Sequence, residues 1–184
     1  MLSTTTVERK GDLWVDAWSA LSRRDDEEGT RIIQRLVRHG CEDQVTVHGN
    51  RFGNLLQHQA ALGNCSSALE TIMSLPTADI DKKNKGTSLG ASTSLHWAAT
   101  AGHLEATRVL VRLGADKTII DHSGHTALAL ALDRGFGDVA DILDPEGTAA
   151  EFERGMAFGG ARKSRVDIAA RVQKDAVLKT SSKS

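Results

Sequence analysis

Seven histidines and two cysteines are the residues of this chain whose types could do chemistry. Histidine titrates near neutral pH and ligates metals, and a cysteine thiolate is both ligand and nucleophile. Their spacing tests those uses. His39-Gly-Cys41 lies near His48, and His58 stands seven residues before Cys65. None has the C-x2-C or H-x3–5-H pairing that zinc sites use, so no metal is expected. Nucleophilic catalysis needs a serine or cysteine with a base and an orienting group. No motif gathers Cys, His and Asp. Gly159-Gly-Ala-Arg-Lys-Ser164 offers a lysine and a serine after glycines. It lacks the spacing of a phosphate-binding loop and the strand that precedes one. The expectation is a chain that is not an enzyme, with no catalytic residue and no cofactor.

The elements that would position these residues are helices. The chain has 184 residues, two prolines, 4% aromatics and no tyrosine. Strands favour aromatic residues, whereas the alanine and leucine that dominate here are strong helix formers. The length fits one domain, or one domain with a tail. No apolar run approaches the length of a membrane span, and the start has no apolar signal core. Two cysteines cannot form a disulfide framework. These readings point to a soluble protein of the cytoplasm, with the nucleus as an alternative. Net charge is −1 overall, but residues 1–145 carry −4 and residues 146–184 carry +3.

One period organises the middle of the chain. Thr93-Ser-Leu-His-Trp-Ala-Ala-Thr-Ala-Gly102 is followed, 33 residues later, by Thr126-Ala-Leu-Ala-Leu-Ala-Leu-Asp-Arg-Gly135. Leu95, Ala98 and Ala99 form one helical stripe, and Leu104, Val109, Leu110 and Leu113 form a second. Gly102 and Gly114 sit where helices end and a left-handed residue is wanted. Asp121-His-Ser-Gly124 suits a tight turn, and Thr126 suits the N-cap of the next helix.

These residues together resemble the ankyrin repeat, whose pattern runs D-x-x-G-x-T-P-L-H-x-A-A-x-x-G-H and ends in G-A-D. Residues 93–126 match it at most informative positions. The resemblance implies an all-α helical solenoid with protruding turn tips and about three to four repeats. It also implies that His96 hydrogen-bonds neighbouring backbone. Upstream the pattern weakens. With Gly63 set opposite Gly102, 39 residues apart, Gln57 falls where the pattern has histidine. An insertion before Thr93 is expected to bulge from a turn tip. Leu36-Val-Arg-His-Gly40 echoes Leu110-Val-Arg-Leu-Gly114, and Arg23 to Gly29 would lengthen the turn before that helix. The resulting layout is a disordered N-terminus at 1–11 and a repeat domain at 12–144. Within it lie an N-terminal pair at 12–43, a degenerate repeat at 53–85, a repeat at 93–125 and a short repeat at 126–144. A basic extension at 145–184 is partly helical, with a disordered end.

The resemblance implies a non-catalytic function: an adaptor, scaffold or regulatory subunit that binds another protein through a concave groove and turn tips. Carried onto this chain, those positions are Lys82, Lys83, Asn84, Lys85, Lys117, His122 and His125 at the tips. On the first helices they are Trp97, Thr100, Ala101, Asp133 and Arg134. The alternative is a scaffold tethered to a polyanion or membrane through Arg162, Lys163 and Arg165. Trp14 and Trp18, four residues apart, are read either as the core of the N-terminal pair or as a partner hot spot. The chain by itself is expected to be monomeric, with no small-molecule substrate.

Overall fold

A computed structural model describes residues 10–85 and 91–147. Among them are nine helices and no strand. They are α1 (Lys10–Ser22), α2 (Asp26–Arg38), α3 (Glu42–Thr46), α4 (Leu56–Gly63), α5 (Ser66–Met73), α6 (Ser94–Ala101), α7 (Leu104–Arg112), α8 (Ala127–Arg134) and α9 (Gly137–Leu143). None is long and apolar enough to cross a membrane. Eight of the nine form four antiparallel pairs. The first helices α1, α4, α6 and α8 pack side by side in one layer, and α2, α5, α7 and α9 in the other. This is the all-α solenoid.

The same local chemistry ends every first helix. Arg24, Asn64, Gly102 and Gly135 take left-handed φ of 62°, 59°, 71° and 78°. The next residue then turns its amide back to a carbonyl five positions earlier. Asp25 donates to Ala20 at 3.0 Å, Cys65 to Ala60 at 2.9 Å, His103 to Ala98 at 3.0 Å and Phe136 to Ala131 at 2.9 Å. All four alanines are fully buried. A small side chain there lets the second helix fold back closely. Gly40 and Gly114, at φ +69° and +91°, end α2 and α7 in turn. Between the layers lies a continuous core that includes Leu21, Ile33, Leu36, Leu56, Leu69, Ile72, Leu95 and Leu110, each under 2% exposed.

Two local expectations need correction. The acidic run does not lengthen a turn. Asp25 caps α2 by accepting from the Glu28 amide at 3.0 Å, and Asp26, Glu27 and Glu28 form its first turn. Carboxylates are favoured there because the helix dipole presents positive charge at its N-terminus. A one-turn helix, α3, also intervenes before the second pair and buries Val45 and Thr46.

Hydrogen bonds tie each pair to the next. The Asp26 carboxylate accepts from the amides of Ser67 (3.0 Å) and Ala68 (2.9 Å) at the start of α5. The Asn64 side-chain oxygen accepts from Ala106 in the first turn of α7 at 3.1 Å. His103 Nε2 donates to the Leu62 carbonyl at 2.9 Å. On the outer surface Arg112 pairs with Glu70. The expectations for residues 1–9, for the segment 86–90 and for the basic tail, including Arg162, Lys163 and Arg165, fall outside the described residues.

Candidate functional site

The first helices begin at turns that histidines hold. Nδ1 of His58 accepts from the Leu55 amide at 3.0 Å, so the proton sits on Nε2, which donates to the Lys82 carbonyl at 3.0 Å. Nδ1 of His96 accepts from the Thr93 amide at 3.2 Å, and its Nε2 donates to the His125 carbonyl at 3.1 Å. Each ring thus ties the start of one first helix to the turn that leads into the next. Burial holds both imidazoles neutral, with the pKa of His58 lowered to about 4 and that of His96 also lowered.

This equivalence corrects the register. His58, not Gln57, stands at the pattern's histidine, and Asn64, not Gly63, ends the helix in the left-handed region. Gln57 consequently occupies the place of Leu95 and Leu128. It is fully buried there. Its Nε2 donates to the Asp79 carbonyl at 2.9 Å, while its Oε1 meets no donor among the described residues. Gly63 instead packs against the preceding pair, where an added Cβ would lie 2.5 Å from the Leu21 carbonyl oxygen.

The turns themselves share one device. The side chains of Asn50, Asn84 and Asp121 accept from the amides of Asn54 (3.1 Å), Ser92 (2.9 Å) and His125 (2.9 Å). Asn84 therefore does not present its side chain to a partner. It is 5% exposed, and its amide nitrogen also donates to Asn54 Oδ1 at 2.8 Å. The expectation failed because Asn84 closes the base of the inserted segment rather than standing at its tip.

The other predicted residues separate into two groups. Lys82, Lys83, Lys85, Lys117 and His122 are exposed on the turns. Lys83 Nζ donates to the Ile120 carbonyl at 3.1 Å, and Asp81 accepts from the Asp116 amide at 3.0 Å, so neighbouring tips are cross-linked. His125 is half-buried, with its ring 3.6 Å from the Asp121 carboxylate. On the helices, Trp97, Thr100 and Ala101 of α6 meet Arg134 of α8 around a recess of about 240 Å³. Asp133 is exposed but does not line it.

Sequence reasoning missed the other lining residues, Leu62 of α4 and Leu130 of α8, with Ser92, His96 and Asp121 at the turn side. The corrected register supplies the signal. Leu62 falls at the place of Thr100, and Leu130 at the place of Trp97. Three successive first helices thus turn an apolar side chain toward one open hollow. The Trp97 indole N–H is covered and meets no acceptor among the described residues. At the far end of the stack, Trp14 and Trp18 are stacked with centroids 5.3 Å apart, and His48 meets Trp14 edge-on at 5.0 Å. Both tryptophans pack partly buried against the core.

Among the described residues no group of three or more His, Cys, Asp or Glu side chains could hold a metal ion. The thiols are free and buried, and burial, with Asp26 and Asp25 nearby, pushes the pKa of Cys65 up to about 11. A thiol with so little thiolate is a poor nucleophile.

Comparison with known proteins agrees with this geometry. The family model for ankyrin repeats in three copies matches residues 56–151, just over half of the chain. Two proteins of Rickettsia felis named as ankyrin repeat proteins are each 49% identical to this chain over 45 residues. That segment is 24% of this chain and 71% and 68% of the two relatives. The pair α1 and α2 lies before the matched segment and still carries the left-handed helix end, the five-residue return bond and the buried alanine of the others. From its period, its helix pairs and these matches, the chain belongs to the ankyrin-repeat family.

Proposed function

We propose that the chain is a non-catalytic adaptor or scaffold that binds a partner protein in the hollow of its first-helix layer and at the adjoining turn tips. Ankyrin repeats in general are protein–protein interaction modules. The observation that supports the site is the recess where Trp97, Thr100 and Ala101 meet Leu62, Leu130 and Arg134. Apolar side chains on an open surface, rimmed by charge, are what a partner covers. The mechanism is rigid presentation. Helices and turns already cross-linked by Lys83, Asp81 and the two histidines lose little freedom on binding, so less of the contact energy is spent on ordering. The reading places the protein in the cytoplasm, where free thiols such as Cys41 and Cys65 persist.

Affinity capture from native lysate with mass-spectrometric readout tests it. Wild type is compared with Thr100→Arg, with the tip variant Lys82→Glu/Lys83→Glu/Lys117→Glu, and with a chain truncated after Gly159. Partners lost with Thr100→Arg or the tip variant, while the melting temperature holds, support the reading. Partners lost only on truncation would move the function to the basic tail.

A further inference from the structure

We infer that the recess takes an apolar side chain from an extended partner segment, with a carboxylate-bearing residue beside it that pairs with Arg134. The inference rests on the groove reading above and names the chemistry of its partner.

Size argues for a side chain. At about 240 Å³ the hollow is smaller than the range typical of sites for cofactors and drug-sized molecules. Its apolar walls come from three separate helices, through Leu62, Trp97 and Leu130. A single aliphatic or aromatic side chain entering between them removes all three from water at once. The gain scales with the apolar area covered.

Charge argues for the carboxylate. The other ionisable groups around the hollow, His96 and Asp121, are already engaged. The His96 ring bonds through both nitrogens, and the Ser92 amide donates to Asn84. Asp121 is 9% exposed, and its carboxylate accepts from the amides of Ser123 (2.8 Å) and His125 (2.9 Å). Its negative charge is held inside the turn. Arg134 differs. It is exposed in the last turn of α8, and none of the hydrogen bonds or ion pairs among the described residues involves its guanidinium. The unspent charge on the wall is therefore cationic, a fork of donors shaped for a carboxylate. A partner segment with Asp or Glu next to Leu, Ile, Met or Phe satisfies both halves.

Selection of a random peptide library displayed on phage against the intact chain tests this. The expected winners carry an acidic residue adjacent to a large apolar one. Synthetic winners should bind Arg134→Glu about tenfold more weakly, since an exposed pair is lost and repulsion replaces it. Changing the acidic residue of the peptide to Lys should restore binding to Arg134→Glu. Winners without the acidic–apolar pair, winners indifferent to Arg134→Glu, or no enrichment would overturn the inference. Thr100→Arg separates the two readings. Peptides that it abolishes but Arg134→Glu leaves alone keep the groove and sink the carboxylate. Peptides that it leaves alone sink both. Arg134→Glu is on the surface, and an unchanged melting curve confirms that the fold is intact.

Discussion

His58 and His96, 38 residues apart, hold identical posts. Each accepts a backbone amide on Nδ1 three residues back, and each donates from Nε2 to a carbonyl of the following turn, at 3.0 and 3.1 Å. Neither bond set survives protonation of Nδ1, which would turn an acceptor into a donor facing an N–H.

Acid should therefore loosen the stack. Burial lowers the pKa of His58 from 6.5 to about 4, and burial also lowers those of His96 and His103. The unfolded chain takes up protons below its ordinary histidine pKa while the folded chain does not. Stability is complete above pH 6.5 and is lost as the pH falls toward 4. His58 alone contributes about 3 kcal/mol across that window. Denaturant midpoints near pH 7 and near pH 5 check this. The slope should flatten in His58→Gln, and a pH-independent midpoint in the wild type would sink the argument.

Core truncation should be costly in so short a stack. Leu95 is 1% exposed and Leu110 is fully buried. Leu95→Ala and Leu110→Ala should each cost ~2–5 kcal/mol by opening a cavity. Urea unfolding reads this directly, and costs below about 1 kcal/mol at both sites would place the core elsewhere.

Two glycines with the same kind of backbone should respond differently to alanine. Both have left-handed φ, +71° at Gly102 and +91° at Gly114. A Cβ on Gly102 would lie 2.7 Å from the Phe136 ring, whereas one on Gly114 meets nothing within 4 Å. Gly114→Ala should cost only the backbone strain, about 1 kcal/mol. Gly102→Ala adds the clash and should cost about 3 kcal/mol. Equal melting-temperature losses would mean that Phe136 yields freely.

One substitution should stabilise. Gln57 is fully buried where Leu95 and Leu128 stand in later repeats, with Oε1 unpaired among the described residues. Gln57→Leu gives up the bond to the Asp79 carbonyl but removes the buried orphan. A buried amide group without a partner costs more than one ordinary hydrogen bond returns, so a gain of about 1 kcal/mol is expected. A lower denaturant midpoint would show that the Asp79 bond matters more.

The best-patterned stretch, residues 93–126, was legible because its spacing carries the physics. Thr93, His96, Gly102, Gly114 and Asp121 each stand at a cap or turn that only a few residue types can make. The degenerate repeat was harder. Gly63 drew the alignment because glycine suits a helix end, but Asn64 tolerates the left-handed region too and took that role. Asn50-Arg-Phe-Gly53 held the better signal. It echoes Asp121-His-Ser-Gly124, and both glycines have positive φ, +70° and +78°. The candidate site was half legible. Trp97, Thr100, Ala101 and Arg134 follow from the pattern, whereas Leu62 depends on the register. Asn84, carried to a turn tip by the resemblance, is buried because its side-chain amide closes the turn from within.

The caps supplied by Asp26 and Asn64 give the stack a direction. Each completes the first turn of the following second helix, α5 in one case and α7 in the other. Peeling helices from the C-terminal end leaves those upstream with their caps in place. Losing α1 and α2 strips α5 of the carboxylate that satisfies two of its amides. For these two caps, order is handed down the chain from N-terminus to C-terminus, the order in which a ribosome releases it.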